Sequence, residues 1–267
     1  MGIDTYLSKA ASLHTNEQQS FRISKKWAQG RTVYGGLSAG MLYSAAKGYV
    51  ETSRVLRSMT TNFVGPMLIE EDFDIKVEII REGKNVSQIQ ARAIQQGKNC
   101  VISQFCFAQG RTSKIRVVNT DSHNMELPKK GNYIPQIPKV TPKFLKHFDL
   151  SIEEGGVPFL GKKSSHYFGW MRYKDSPEVF TDAHLVSIID AWPPTLLQML
   201  NWPAPASTVS WNLEFLHPHL PVKPNDWFAY KAITRQAADG YGHTEATIWD
   251  THGKAIALSR QTVAVFD

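Results

Sequence analysis

Between residues 72 and 96 apolar and polar side chains alternate: "FDIKVEII", then "VSQIQARAI" after a glycine-containing break. A period of two is the mark of half-buried strands, and "REGKN" and "QQGKN" supply the turns that join them. This predicts strands at about 58–64, 72–82, 86–96 and 100–109. Just before them, "GGLSAGMLYSAAKGYV" loses the alternation, is rich in Ala, Leu and Met and lacks proline, which predicts a helix over about 36–50. A strand near 20–26 should open this half.

The same order returns later in the chain. "TDAHLVSIIDAWPPTLLQML" reads as a helix capped at Thr181 or Asp182 and bent or broken at Pro193-Pro194. Strands follow at about 207–215, 226–239, 242–250 and 255–266, with one near 167–174 to open the copy. Phe63-x-x-Pro66 matches Phe215-x-x-Pro218, 152 residues later, and Gly97-Lys98 matches Gly253-Lys254, 156 later. Several matches in order, with the same strand rhythm between them, argue for internal duplication. Residues 111–165, rich in proline and lysine and poor in periodicity, read as an irregular connection with a short helix near 142–150.

A helix followed by an antiparallel sheet, twice, predicts an α+β protein in which each sheet wraps around its own helix. This is the order of a double hotdog. The expected division is a first hotdog at 1–110, the connection at 111–165 and a second hotdog at 166–267.

Composition narrows the chemistry. The 267 residues are 42% hydrophobic, enough for a sizeable core. A net charge of +6 favours anionic small molecules weakly, and the scattered Lys and Arg without finger or RNP patterns give no nucleic-acid partner. Cys100 and Cys106 share one predicted strand about 20 Å apart, too far to bridge there, which suits a reducing compartment. No apolar leader or bilayer-length segment is present. The cytoplasm is therefore expected, with no membrane partner.

Among candidate sites, Gln261 is a polar residue on a face shared with Ala257, Ser259, Val263 and Val265, and needs a hydrogen-bonding partner if buried. Taken by itself, such a glutamine is more often a satisfied core or edge amide. Its counterpart in the first copy, at the 156-residue offset, is Phe105. Asp190 follows Val186, Ile188 and Ile189 on an otherwise apolar segment; a partly exposed helical carboxylate or a capping contact before the prolines would explain it, although a carboxylate is disfavoured near the negative end of a helix. Thr208 fits an ordinary β-branched strand position, with Ser207 and Ser210 as chemical near-equivalents. Gly35-Gly36 serve a tight turn, or else bring helix N-terminal N–H groups to an oxyanion. His217-Pro218-His219 has no Cys or carboxylate at ligand spacing, so no metal is expected. No G-x-S-x-G elbow or phosphate loop occurs.

The run "GRTVYGGLSAGMLYSAA", the turn "REGKNV", "IIDAWPP", "TVSWNLEF" and "ALSRQTVAVF" resemble the TesB-like, acyl-CoA thioesterase II group of double-hotdog thioesterases, from about residue 20 to the end. The resemblance implies hydrolysis of an acyl-CoA or related thioester by a water positioned by Asp190, Thr208 and Gln261, with no cofactor. Gly35 and Gly36 would bind the oxyanion or substrate. It also implies a place in fatty acid metabolism and a homodimer or larger assembly. "AWPP" stands where enterobacterial-type members carry a longer aromatic segment. The alternatives are a non-catalytic acyl-CoA-binding hotdog and a hotdog hydratase or dehydratase. The second lacks the helix-borne histidine such enzymes use, both in "IIDAWPP" and in "GGLSAGMLYSAA".

Overall fold

The computed structural model describes residues 2–16, 19–134, 137 and 141–266. Its three α-helices are α1 (Ile3–Ala11), α2 (Gly35–Lys47) and α3 (Asp182–Ile189). The strands of the first half are β1 (Ser20–Arg22), the short ribbon β2 (Ala28–Gln29) and β3 (Thr32–Val33), β4 (Val55–Phe63), β5 (Asp72–Glu82), β6 (Val86–Gln95) and β7 (Lys98–Ala108). Those of the second half are β8 (Phe148–Glu154), β9 (His166–Tyr173), β10 (Ala206–Phe215), β11 (Phe228–Ala238), β12 (Tyr241–Trp249) and β13 (Ala255–Val265).

Eleven of these strands form one antiparallel sheet in the order β1-β5-β6-β7-β4-β10-β13-β12-β11-β9-β8. The inner run β5-β6-β7-β4 is mirrored by β10-β13-β12-β11, so the copies meet edge to edge at β4 and β10. Thr60 lies opposite Asn212 there, and the Thr60 hydroxyl donates to Asn212 Oδ1 at 2.8 Å. These two residues are 152 apart, the same offset that relates the Phe-x-x-Pro motifs. A pseudo-twofold axis therefore passes between them.

Both central helices lie in the concavity of the sheet. From Gly36 to Ala46 every residue of α2 is buried, because sheet, α1 and α3 surround it. This accounts for its lack of a polar stripe: a helix enclosed on all sides gains about 1.5–3 kcal/mol from each large apolar side chain it buries, Leu37 and Leu42 among them. α3 starts in a reciprocal cap between Thr181 and His184 and stops at Ile189, ahead of the two prolines.

Several elements differ from their predicted form. The opening strand of the first half covers only Ser20–Arg22, and a 3-10 turn, Lys25–Trp27, follows it. The short helix expected at 142–150 is a 3-10 turn at Lys143–His147 that runs directly into β8, whose alternation was too brief to register. α1 was not predicted at all; its buried Ile3, Tyr6, Leu7 and Ala10 follow helical spacing. Cys100 and Cys106 are unpaired. Pro135 and Pro138 of the predicted connection lie outside the described residues.

Candidate active site

The residues singled out from sequence come together where the end of α3, the start of α2 and the inner face of β10 and β13 converge. Asp190 is the residue that closes α3, at φ −84° and ψ 4°. The next residue, Ala191, donates its backbone N–H to Ile188 O at 2.9 Å, and the Asp190 side chain leaves the helix toward the sheet, where Gln261 Nε2 donates to Asp190 Oδ1 at 2.9 Å. Thr208 Oγ1 in turn donates to Gln261 Oε1 at 3.3 Å. Hydroxyl, amide and carboxylate thus form one chain of hydrogen bonds, and all three side chains are only part-buried. The partner that Gln261 requires in an apolar strand is this carboxylate.

Thr208 reaches that face through a β-bulge. Trp211, Leu213 and Phe215 of β10 are buried, so strict alternation would place Val209 and Ser207 inward and Thr208 outward. The pairing of β10 with β13 slips between Thr208 and Ser210. The extra residue, Val209, faces solvent, and Thr208 comes opposite Val263, on the face that carries Gln261. A bulge re-aims one side chain without disturbing the rest of the ladder. It also decides between Thr208 and its serine neighbours, since Ser207 is exposed and its hydroxyl turns to Thr208 O.

The first copy has the same bulge, between Leu56 and Ser58, but apolar residues at the matching places. Leu56 stands 152 residues before Thr208, and Phe105, paired with Met59, corresponds to Gln261, paired with Trp211. Phe105 is fully buried and packs on Tyr43 and Phe107.

The charge of Asp190 is set by two opposing influences. Burial raises its pKa to about 7, while the Gln261 amide and the Gly36 N–H, both donating to the carboxylate, hold it down from a higher value. Sequence reading aims the Gly36 N–H at a substrate oxyanion; the structure directs it to Asp190. The N-terminus of α2, with its positive dipole end, thus offsets the unfavourable C-terminal end of α3. The approach is close. A Cβ on Gly36 would lie 2.3 Å from Ser187 O and 2.5 Å from the Tyr34 hydroxyl, and one on Gly35 would lie 3.0 Å from Asp190 Oδ2. Tyr34, buried and immediately before the two glycines, donates to Ser187 O at 2.5 Å and ties α2 to α3. Sequence reading passed over it; a large polar aromatic directly ahead of a Gly-Gly helix start was the available signal. Tyr230 and Trp192, stacked with centroids 5.5 Å apart, and Phe63 beside Gly35 complete the aromatic surroundings. Burial, with the Asp190 charge adding to it, pushes the hydroxyls of Tyr34 and Tyr230 well above the ordinary tyrosine range.

A part-buried carboxyl that ionises near neutrality, oriented by an amide and flanked by a helix N-terminus, suits a general base that takes a proton from water. If so, kcat/KM rises with pH as the carboxyl deprotonates and levels off above about 7. A profile already flat at pH 5 would show that Asp190 is not the titrating group. Elsewhere, the folding chain brings Asp182 Oδ1 within 3.8 Å of His219 Nε2, an approach not visible in the His-Pro-His spacing. Among the described residues no three His, Cys, Asp or Glu side chains could hold a metal ion.

Two family models match the chain: the acyl-CoA thioesterase N-terminal domain over residues 23–108 and the acyl-CoA thioesterase C-terminal domain over 124–265. A curated relative, acyl-CoA thioesterase 2 of Haemophilus influenzae, is 24% identical over 255 residues and covers 86% of each chain. Among solved structures, a hot dog fold protein from Alicyclobacillus acidocaldarius superposes with a TM-score of 0.79 at 18% identity, covering 93% of this chain and 92% of that one. The acyl-CoA thioesterase II TesB2 of Mycobacterium marinum gives 0.69 at 17% identity, covering 88% and 90%. At these identities the structural matches establish the hotdog fold.

Proposed function

The chain belongs to the acyl-CoA thioesterase family, and from that premise we propose that it hydrolyses acyl-CoA thioesters by direct attack of a water held by Asp190, Gln261 and Thr208. The observation that carries this reading is the hydrogen-bond chain from the Thr208 hydroxyl through the Gln261 amide to the Asp190 carboxylate. Gln261 cannot itself take a proton at neutral pH, but its amide can fix the carboxylate and donate a further N–H to water. Asp190 removes the water proton as the oxygen attacks the thioester carbonyl. The oxyanion forms near the α2 N-terminus, where the Gly35 N–H is the proposed donor while Gly36 N–H holds Asp190. Collapse expels the CoA thiolate, whose low basicity requires little acid assistance.

The first copy, with Phe105 and Leu56 in the corresponding places, contributes α2 rather than a second set of these groups. We take residues 1–110 as the hotdog with the degenerate site, 111–165 as the connection and 166–267 as the hotdog that carries the catalytic residues. Fatty acid metabolism, the cytoplasm as compartment, supported by the two unpaired cysteines, and a homodimer or larger assembly belong to the same reading.

Thiol release from acyl-CoAs of graded length tests it. Gln261→Ala should lower kcat about 10²-fold by removing the donor that orients Asp190, and Thr208→Val, which keeps shape and loses the hydroxyl, about tenfold. Wild-type turnover in both variants, with folding intact, would remove this site from the mechanism. A chain that binds acyl-CoA and releases no thiol would be a carrier or sensor instead.

A further inference from the structure

The segment between Asp190 and Thr208 has a second property, distinct from catalysis. After Pro193-Pro194 it forms a 3-10 turn, Thr195–Met199, and then a loop over 200–205. Alongside it runs the loop over 156–163. Phe159 N–H donates to Leu197 O at 2.8 Å, Gly161 N–H to Leu200 O at 3.0 Å and Lys162 N–H to Gln198 O at 2.8 Å. The pair forms a fixed ledge. Its interior is packed, with Leu196 against Val263 and Val265, yet its outward side chains are large and apolar: Trp202 is 82% exposed, Leu160 62% and Met199 47%. Lys162 and Lys163, both exposed, stand beside them. The two loops themselves carry no Asp or Glu, and exposed Glu153 and Glu154 directly precede the first of them.

An isolated exposed Leu needs no explanation, but a Trp, a Leu and a Met on two adjoining loops do. Protruding side chains at loop tips, spaced by prolines, suit insertion into a soft apolar medium. Trp prefers the boundary between headgroups and acyl chains, and the two exposed lysines of the 156–163 loop favour an anionic surface. We infer that this ledge docks the protein peripherally on a lipid surface that carries anionic headgroups. This departs from the expectation of no membrane contact, and it involves side-chain insertion only: among the described residues no helix is long and apolar enough to cross a bilayer. The inference stands on the exposed surface and is independent of the hydrolytic reading.

The test is co-sedimentation of the full chain with phosphatidylcholine vesicles, with and without phosphatidylglycerol, together with tryptophan emission. The wild type should sediment with the anionic vesicles and shift its emission to the blue. Trp202→Ser should lose the shift and most of the binding, while Lys162→Ala and Lys163→Ala should each weaken binding about fivefold. Unchanged melting temperature and unchanged hydrolysis of a short, water-soluble acyl-CoA would show that the variants fold. Failure to bind anionic vesicles, or equal binding by Trp202→Ser, overturns the inference. So does a lipid-free dimer, seen in sedimentation velocity, that Trp202→Ser dissociates, because the ledge would then be an interface between two copies.

Discussion

Asp190→Asn is expected to lower kcat for acyl-CoA hydrolysis by about 10³-fold and, at the same time, to make the protein more stable at pH 8. Both effects follow from one carboxyl group. Asparagine keeps the acceptor for the Gly36 N–H, and if the Gln261 amide turns over it can accept from the new amide, so the local geometry survives. What is lost is the proton acceptor. The stability gain comes from linkage. The folded-state pKa is about 7, against about 3.9 for an unfolded aspartate, so between these values the native state holds a proton that the unfolded state has released. Stability from this group is therefore fully present below about pH 4 and lost as pH rises through 7. Above that, the part-buried charge costs on the order of 2–4 kcal/mol after allowance for solvent screening, a cost asparagine avoids. The advantage of Asp190→Asn should thus be absent at pH 4 and complete by pH 8, which thermal melts across that range will show. A variant that is inactive and also less stable at pH 8 would mean that Asp190 is a structural anchor.

Gly36→Ala should be the most damaging single methyl group that can be added near the site. The new carbon would meet the Ser187 carbonyl at 2.3 Å and the Tyr34 hydroxyl at 2.5 Å. The first is backbone and the second is held by its own hydrogen bond to that carbonyl, so neither can turn aside. α2 and α3 must separate, at a cost of about 1–3 kcal/mol and toward the upper end of that range. Separation also weakens the Gly36 N–H contact to Asp190, which raises the carboxyl pKa further and moves the rise in kcat/KM to a higher pH than in the wild type. The readouts are the melting temperature and the pH profile together. Unchanged values of both would show that the two helices are not in the described contact.

How far the sequence discloses this molecule depends on the range of the forces involved. The long strands were legible because alternation and glycine turns act locally: β5, β6, β7 and β13 lie within a few residues of their predicted spans. Duplication was legible because the pseudo-twofold preserves offsets, so Phe63 and Phe215 report the same place in each copy. β8 and α1 were hidden because their burial comes from neighbours distant in sequence. The candidate trio was found by residue type and resemblance, while the reason Thr208 points inward was not readable. A bulge at Val209 breaks the alternation that sequence reasoning relies on. The link from Gly36 to Asp190 was invisible for a related reason. It joins the start of one helix to the end of another, 154 residues away, and only their packing reveals it.

The central claim is that Asp190 activates a water and does not itself attack the thioester. Single-turnover hydrolysis of an acyl-CoA in ¹⁸O-water, with enzyme in excess, tests this most directly. Direct attack puts one ¹⁸O into the free acid formed in the first turnover and none into the protein, so the peptide that carries Asp190 keeps its natural mass. Label recovered in the Asp190 carboxyl would contradict the account, because it requires a covalent acyl-aspartyl intermediate opened by water at the aspartyl carbon.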